Sequence, residues 1–311
     1  MVDFTLVQLR YFCLVAETGS FSGAAAADHV SPTAVAAAVT ALERVVGAQL
    51  CVRRRSHGVR LTTSGQLLYA EAKRLLTSTE ELKLLLAGGG EELVGPLTVG
   101  CYSTFAPTVL PGLVEEFERL HPKVTLNLSV QSQEVLIDEL HEGRLDCVLL
   151  YDLYLPDGLQ KQPLYQALIH VLMSADHPLA QRESVSLREL EDEPLILFES
   201  TPSSPHTFTV LERLGVTPRI RHRTTEYELV RSLVARGLGY SLMIHRNPVK
   251  FSYEGRRLAE IPIDPALPAE TMVAVWPAGV HLNPRARELI RIAREVITAQ
   301  QPAPATVPDA S

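Results

Sequence analysis

Residues 20–65 read SFSGAAAADHVSPTAVAAAVTALERVVGAQLCVRRRSHGVRLTTSG, and they carry the signals of two short helices joined by a tight turn. Ser20 is a favourable N-cap residue for the alanine-rich segment that follows it. Asp28 and His29 lie where the turn is expected, and Ser31 followed by Pro32 supplies an N-cap with proline at the first helical position. The stretch therefore predicts a helix-turn-helix whose second helix begins near Ser31.

The second helix has one apolar face. Its apolar residues recur at steps of three and four positions, and they are Val35, Val39, Leu42 and Val46. This is the spacing of a single buried helix face. Gly47 follows and predicts the end of the helix. Because the apolar residues occupy one face, the opposite face is left to contact a partner.

A cluster of cations follows this helix. It comprises five residues within eight positions: Arg53, Arg54, Arg55, His57 and Arg60. Gly58 predicts a turn between two short strands in the same segment. A charged run alone is more often a solvated face, but this one comes directly after a helix-turn-helix. We therefore interpret it as a wing whose cations reach DNA phosphates or enter the minor groove.

The net charge of −7 is unevenly distributed along the chain. Residues 1–90 contain nine Lys and Arg against seven Asp and Glu, whereas the rest of the chain contains 20 against 29. The acidity thus belongs to the second part, and the first part remains suited to a polyanionic partner.

The residues that carry a family resemblance are Leu9, Phe12, Val15, Ser20, Phe21, Ala24, Ala25, Ser31, Leu42, Glu43, Gly47, Leu50, Arg53, Leu61, Thr62, Thr63, Ser64 and Gly65. In this pattern the chain resembles the winged helix-turn-helix of LysR-type transcriptional regulators, and the likeness continues to about residue 298. The resemblance implies an α/β multidomain protein with an N-terminal winged helix-turn-helix, a long linker helix and a two-lobed periplasmic-binding-protein-like (type 2) effector domain. It also implies a DNA-binding regulator whose activity is modulated by a small-molecule inducer between two α/β lobes.

The recognition helix departs from the family pattern. Where LysR-type regulators usually carry Ser-Gln-Pro-Ala-Leu-Ser-Arg-Gln, residues 31–38 read SPTAVAAA. Thr33 can make one hydrogen bond and the alanines can touch thymine methyl groups, but none makes the bidentate contacts that are worth about 1–3 kcal/mol of discrimination. We therefore expect specificity to depend on the wing arginines and on DNA shape and bending. The predicted DNA-binding residues are Ser31, Pro32, Thr33, Ala34, Ala37, Arg53, Arg54, Arg55, His57 and Arg60.

A long proline-free helix is predicted from Thr63 to Ala87. Its heptad-like seam consists of Leu68, Ala72, Leu75, Thr79, Leu82 and Leu86. A helix of this length with one apolar seam needs a partner helix, and the family pairs this linker with a second subunit. The alternative is that the seam packs on the protein's own head. Three glycines at 88–90 predict a flexible joint after the helix.

Beyond residue 90 the pattern becomes a βαβ alternation, which predicts a parallel sheet and a second α/β lobe. Strands are predicted at 97–101, 124–130, 145–150, 163–175, 194–198, 219–224, 238–243 and 271–276, with helices near 107–120, 132–142, 186–192, 204–214, 226–236 and 284–298. The predicted domains are residues 1–62 (head), 63–90 (linker and hinge), 91–162 with 267–299 (lobe I), 163–266 (lobe II) and 300–311 (disordered tail).

Polar residues follow several of the predicted strands. Ligands of open α/β sheets bind at the carboxyl ends of strands near helix N-termini. The candidate effector-binding residues at these positions, which also match the family's inducer pocket, are Ser103, Thr104, Gln133, Tyr151, Ser200, Thr201, Phe208, Glu226 and Tyr227. The alternative is that Ser103, Thr104 and Thr225 are helix caps and that Phe208 is core; Thr225 to Glu228 fits a capping box.

None of these positions is an arginine, so a strongly anionic inducer fits poorly and we expect a small aromatic or partly polar metabolite. The chain has no HExxH, CxxC, GxxxxGK or GxSxG motif, so no enzyme activity, metal or cofactor is expected. No apolar run is long enough to span a membrane and no signal peptide precedes the head, so we expect a cytoplasmic protein that does not bind membranes.

Two other functions are compatible with the sequence. One is a redox-sensing regulator that uses Cys101 and Cys147, which lie on strands that could be neighbours in a sheet. The other is a cytoplasmic solute-binding protein of the same two-lobed fold. For the regulator, the expected partners are double-stranded promoter or operator DNA, a small-molecule inducer and copies of the same chain in a homodimer or homotetramer. RNA polymerase is a further candidate partner.

Overall fold

The computed structural model describes residues 3–54, 58–86 and 93–300. The chain forms two compact units, Met1–Glu92 with Asp138–Leu145 and Leu93–Ile137 with Asp146–Ser311. No helix in the described ranges has the length and apolar character needed to cross a membrane.

The N-terminal unit begins with three helices, α1 (Leu6–Thr18), α2 (Phe21–Ala27) and α3 (Pro32–Val46). The predicted caps are confirmed: the Ser20 hydroxyl accepts from the Gly23 amide at 2.9 Å, and that of Ser31 accepts from Ala34 at 3.2 Å. Gly47 ends α3 in the left-handed conformation, with φ 71°. These local hydrogen bonds satisfy backbone donors at the helix starts and fix where each helix begins.

The apolar face of α3 packs against α1 in the core of this unit. The residues that share this core with less than one-tenth exposure are Leu9, Phe12, Cys13, Val15, Ala24, Ala25, Val35, Val39, Leu42, Leu50, Cys51 and Ala72. The three- and four-residue spacing that predicted the buried face of α3 is confirmed for Val35, Val39 and Leu42, whereas Val46 is exposed because it lies in the last turn.

The wing is an antiparallel pair, β1 (Cys51–Arg54) and β2 (Gly58–Leu61), with Arg54 opposite Gly58. The Val59 amide donates to the Gly19 carbonyl at 2.7 Å, which holds β2 against the turn between α1 and α2. A Cβ on Gly58 would lie 2.5 Å from that carbonyl oxygen, and its φ is +73°. The position therefore requires glycine.

The linker helix α4 (Thr63–Leu86) begins with the Thr62 hydroxyl accepting from the Gly65 amide at 3.0 Å. The residues of the predicted apolar seam fall into two groups, one packed on the head and one exposed. Ala72 is fully buried and Leu68 packs against the core of the head, as the alternative interpretation proposed, whereas Leu75 is 49% exposed. The side chains of Leu82 and Leu86 lie outside the described residues.

After the linker the elements are, in chain order, β3 (Gly95–Tyr102), α5 (Ala106–Leu120), β4 (Val124–Gln131), α6 (Gln133–His141), β5 (Cys147–Tyr151), β6 (Leu159–Ala167), β7 (His170–Ser174), β8 (Pro194–Phe198), α7 (Ser203–Arg213), β9 (Arg219–Thr224), α8 (Tyr227–Ala235), β10 (Ser241–Met243), β11 (Leu258–Pro262), β12 (Glu270–Pro277) and α9 (Pro284–Gln300). The helix predicted near 186–192 is a single 3₁₀ turn, Leu187–Leu190.

Two groups of strands define two lobes. Lobe I is built on a five-stranded sheet of order β4-β3-β5-β12-β6, in which the first three strands are parallel, as predicted, and β12 is antiparallel to both of its neighbours. Lobe II contains an antiparallel sheet of order β10-β7-β11 and the parallel pair β8-β9. The chain crosses from lobe I to lobe II after β6 and returns before β12.

The single strand predicted at 163–175 is wrong. It is two strands, β6 and β7, which belong to different sheets and are separated by Leu168 and Ile169. Consequently the predicted lobe boundary at 162/163 falls inside β6, where Pro163 is tolerated because β6 is an edge strand. Strand β11 was not predicted at all.

Candidate DNA-binding surface and ligand cleft

The exposed face of α3 is poor in hydrogen-bonding groups. The exposed residues of α3 are Pro32, Thr33, Ala34, Ala37, Thr40, Arg44, Val45 and Val46. Ser31 and Pro32 are exposed at the helix start, where the Ser31 hydroxyl already accepts from a backbone amide. Thr40 and Arg44 were missed by the sequence analysis, although steps of four, three and four from Thr33 through Ala37 reach both.

Of the predicted wing cations, Arg60 lies on β2 and is exposed. The backbones of Arg53 and Arg54 belong to β1, but their side chains, and all of Arg55 and His57, lie outside the described residues. Glu43 orients the start of the wing, because its carboxylate accepts from the amides of Leu50 at 2.8 Å and Cys51 at 3.1 Å.

The second unit contains an open cleft of about 850 Å³ between lobe I and lobe II. Lobe I contributes residues that follow β3 and β4, including Ser103, Thr104 and Ser132. Lobe II contributes residues that follow β8 and β9. The cleft therefore lies at the carboxyl ends of parallel strands, where binding sites of open α/β sheets are expected.

Six of the nine predicted effector-binding residues line this cleft, and they are Ser103, Thr104, Ser200, Thr201, Glu226 and Tyr227. Tyr151 lines a small inner chamber next to it instead. Gln133 is buried beneath the cleft, where its side-chain amide donates to the Leu153 carbonyl at 2.7 Å. Phe208 lines neither space, because on α7 the residues that face the chamber are Ser203, His206 and Thr207, and Phe208 is turned away from them.

Two of the alternative helix-cap interpretations are wrong. The N-cap of α5 is Phe105, so Thr104 does not cap it. The N-cap of α8 is Glu226, whose own amide donates to the Thr224 hydroxyl at 3.1 Å, so Thr225 does not form the predicted capping box. The Thr104 hydroxyl is thus left for another partner.

The inner chamber measures about 10 Å³, which is room for a single water-sized group. Three buried polar atoms there have no hydrogen-bond partner among the described residues: Thr104 Oγ1, Tyr151 OH and His206 Nε2. His206 Nε2 lies 3.3 Å from the Glu270 carboxylate but outside hydrogen-bonding geometry. Burial raises the pKa of Tyr151 well above its ordinary value and lowers that of His206, so the phenol stays a donor and the imidazole tends to stay neutral.

Arg231 on α8 is almost fully buried beside the cleft. Its guanidinium donates to the Glu228 carboxylate at 2.8 Å and to the carbonyls of Val249 and Phe251 at 2.7 and 2.9 Å. The second Glu228 oxygen accepts from the Tyr253 amide at 2.8 Å. This network holds residues 247–253 through Val249, Phe251 and Tyr253, and the segment lines the cleft. The sequence analysis missed it.

The arrangement of the cysteines does not support a disulfide between Cys101 and Cys147. Val99 is opposite Cys147, so Cys101 lies two residues further along β3. Strand spacing and rise then place the two Cα atoms about 8 Å apart, beyond disulfide reach. Both thiols are fully buried, which raises their pKa well above the ordinary value, and no cysteine lines the described cleft.

A helix-turn-helix with a wing, joined to two α/β lobes that enclose a cleft, defines a ligand-responsive DNA-binding regulator. The family models agree with this class. Residues 6–66 match the bacterial regulatory helix-turn-helix protein of the lysR family, and residues 90–298 match the LysR substrate binding domain. The chain belongs to the LysR family of transcriptional regulators, and it is not an enzyme.

Known relatives cover most of the chain. The DNA-binding transcriptional dual regulator OxyR of Escherichia coli is 29% identical over 76% of this chain and 77% of its own length. The crystal structure of HinK, a LysR family regulator of Pseudomonas aeruginosa, is 30% identical, covers 94% of this chain and 98% of its own, and has a TM-score of 0.62. A variant of full-length OxyR from Pseudomonas aeruginosa is 28% identical, covers 95% of both chains and has a TM-score of 0.74.

Proposed function

We propose that this regulator binds an operator as a homo-oligomer and that an inducer in the cleft between the lobes changes how it holds the DNA. The observation that carries the proposal is the cleft of about 850 Å³ at the strand ends, with the Thr104 hydroxyl on its wall, which has no partner in the described part of the chain. A ligand that contacts both lobes binds the closed arrangement more tightly than the open one. This difference in binding free energy shifts the protein between the two arrangements, as a switch requires.

In this proposal each predicted domain has its own role. Residues 1–62 bind DNA, 63–90 pair subunits and set the half-site spacing, and 91–162 with 267–299 and 163–266 form the two effector lobes, with their boundary moved to the end of β6 at Ala167. The predicted joint at 88–90 and residues 301–311 of the predicted tail lie outside the described residues. The exposure of Leu67 and Leu75 on α4, 70% and 49%, supports pairing of linker helices, since these side chains are apolar and unburied in one chain.

On the DNA, the N-terminal half of α3 lies in the major groove and the wing cations contact phosphates or the minor groove. The groove contacts come from Ser31, Pro32, Thr33, Ala34 and Ala37, and the wing contacts from Arg53, Arg54, Arg55, His57 and Arg60. Because α3 offers few hydrogen bonds to bases, sequence preference depends on DNA shape and on the wing.

The assembly is a dimer or, by a further contact between effector domains, a tetramer, and RNA polymerase is its partner where the operator lies beside a promoter. The protein acts in the cytoplasm, where its DNA is. The inducer is a small aromatic or partly polar metabolite held by Ser103, Thr104, Ser200, Thr201, Glu226 and Tyr227, with Tyr151 and Gln133 behind them; Phe208, also predicted for this site, is turned away from it.

Genome-wide pull-down tests this function. The purified full chain is incubated with fragmented DNA of its own source at physiological salt, and the bound fragments are sequenced. A dyad-symmetric motif beside a few genes is expected, and the neighbouring genes then supply inducer candidates. Binding that is diffuse and lost with modest added salt would contradict an operator-specific regulator.

A further inference from the structure

We propose that the ligand of the cleft is cationic, carrying an ammonium or amidinium group together with a polar group that hydrogen-bonds Thr104. This inference rests on the proposed function of the cleft as the effector site. It goes further by assigning the charge of the ligand and the carboxylates that receive it, Glu134 and Glu226.

The charged lining of the cleft is predominantly acidic. Among the described residues that line it, the carboxylates are Glu134, Glu199, Glu226 and Glu228, and Arg231 is the sole cation. A concave surface lined by one sign of charge focuses its field and concentrates counter-ions of the opposite sign. The potential in this cleft thus attracts a cation and opposes an anion.

Arg231 offsets only Glu228, because its guanidinium is committed to that carboxylate and to two backbone carbonyls. It is 1% exposed, and it donates to Glu228 and to the carbonyls of Val249 and Phe251. An anionic ligand that recruited Arg231 would have to break these buried bonds and release residues 247–253. Arg231 and Glu228 therefore form a structural pair, and neither is the receiving group.

Two of the four helix N-termini at the cleft, those of α6 and α8, carry the chain's own carboxylates. Helix N-termini attract anions because their free N–H groups and the helix dipole carry positive charge. Here α6 carries Glu134 in its first turn, and α8 has Glu226 as its N-cap and Glu228 in its first turn. At α6 and α8 an incoming anion would meet these carboxylates, whereas the starts of α5 and α7 carry no acidic residue and face the polar group of the ligand.

Two of the four carboxylates remain available. Glu199 pairs with Arg223 at 2.9 Å, and Glu228 pairs with Arg231. Glu134 uses one oxygen to accept from the Thr201 hydroxyl at 2.8 Å, and Glu226 has no side-chain partner among the described residues. Because Glu134 belongs to lobe I and Glu226 to lobe II, a cation between them would link the two lobes.

An independent feature supports a ligand in the cleft. Thr104 is 5% exposed, its Oγ1 has no partner among the described residues, and it lines both the cleft and the inner chamber. A buried hydroxyl without a partner carries a desolvation penalty that a ligand or a bridging water removes. At the rim, Phe251 and Tyr253 are 46% and 88% exposed, and aromatic faces in this position favour cations.

Matched triplets of small probes test the charge assignment. The probes are phenethylamine, 2-phenylethanol and 3-phenylpropanoate, and benzamidine, benzamide and benzoate, each titrated into the full chain by ligand-observed NMR. We expect the cation of each triplet to bind about tenfold more tightly than its neutral counterpart, since two nearby carboxylates attract it through partly desolvated space. In Glu134→Gln/Glu226→Gln this preference is lost while binding of the neutral probe is unchanged, and Glu295→Gln on α9 serves as the control.

The outcomes separate the two proposals. Tightest binding of the anions or the neutral probes, abolished by Thr104→Val, would overturn the cationic assignment and leave the cleft as the effector site. Preference for cations that survives the double Gln substitution would overturn the assignment to Glu134 and Glu226. If no probe binds, or if neither variant changes binding, both the ligand class and the cleft as effector site fail.

Discussion

The hydroxyl of Thr108 on α5 lies 2.8 Å from Nε2 of His245, the second residue after β10, and so joins lobe I to lobe II beside the cleft. The same hydroxyl donates to the Phe105 carbonyl at 2.9 Å. Since a hydroxyl has one proton to donate, its oxygen accepts from His245, which places the imidazole proton on Nε2. His245 is 4% exposed, so the bond is largely shielded from water.

Substituting Thr108→Val tests this link. The valine keeps the volume but leaves the His245 Nε2–H without an acceptor, and we expect the free energy of unfolding to fall by about 1–3 kcal/mol. Thr298→Val at an exposed position of α9, where the hydroxyl bonds only to its own helix, should change it by less than about 0.5 kcal/mol. Urea unfolding followed by circular dichroism measures both. Equal effects of the two substitutions would show that the bond does not stabilise the lobes.

Buried imidazoles predict loss of stability in acid. Burial lowers the pKa of His245 to about 4 and that of His170 to about 3, from an ordinary 6.5. Below pH 6.5 these histidines therefore bind protons in the unfolded chain but remain neutral in the folded chain. The contribution of the two neutral imidazoles to the free energy of unfolding is complete above that pH. It is lost as the pH falls towards their pKa values in the folded chain, by about 1.4 kcal/mol per pH unit for each histidine.

The check is the slope of unfolding free energy against pH between 6 and 4.5, measured by urea unfolding. His245→Gln should make this slope shallower by about 1.4 kcal/mol per pH unit. Thr108→Val, which removes the hydrogen bond but keeps the imidazole, should lower stability while retaining most of the slope. An unchanged slope in His245→Gln would mean that this histidine does not resist protonation when folded.

The sequence predicted the head well because its signals are local. Ser20, Ser31 and Gly47 mark helix ends through contacts three or four residues away, and such contacts do not depend on the rest of the fold. The division of 163–175 into β6 and β7 could not be predicted, because the run is continuously strand-like and the change of sheet is a tertiary event.

Gly65 in the linker start is predicted to be irreplaceable. A Cβ there would lie 2.2 Å from the Leu50 carbonyl oxygen, whereas a Cβ on Gly47 would meet nothing within 4 Å. Gly65→Ala should destabilise the head by about 3 kcal/mol or more through the backbone clash, and Gly47→Ala by about 1–2 kcal/mol through its positive φ alone. Hydrogen exchange of residues 6–54 in the full chain measures this. Equal protection in the two variants would contradict the clash.

The sequence predicted only those cleft-lining residues that follow the ends of strands. Ser103, Thr104, Ser200 and Thr201 were found because the carboxyl ends of parallel strands meet at one edge. The segment 247–253 has no periodic pattern, and its position depends on Arg231, whose burial is set by tertiary contacts. Phe208 was misplaced by helix phase, since α7 turns it away from the residues that face the inner chamber.

Wing and recognition helix should contribute differently to DNA binding. Arg60 is exposed on β2, so Arg60→Ala is expected to weaken binding several-fold on all sequences and to reduce the slope of log affinity against log salt by about one. Thr33→Ala should leave the salt slope unchanged and have a small effect on selectivity. Fluorescence anisotropy on operator and random duplexes measures both, with Arg213→Ala on α7 as the control. Loss of selectivity in Thr33→Ala alone would contradict a leading role for the wing.

Replacing thymine by uracil in the operator should reveal what direct readout α3 retains. The exposed residues Ala34, Ala37 and Thr40 carry methyl groups and few donors, so the favourable base contact left to them is with the thymine C5 methyl. Each contacted thymine changed to uracil should cost about 0.8 kcal/mol, the value of one buried methylene-sized group. Duplexes selected from a random pool are compared with thymine or uracil at single positions, and uracil in the flanks is the control. Equal affinity for every substituted duplex would leave α3 without apolar readout and assign specificity to the wing and to DNA shape.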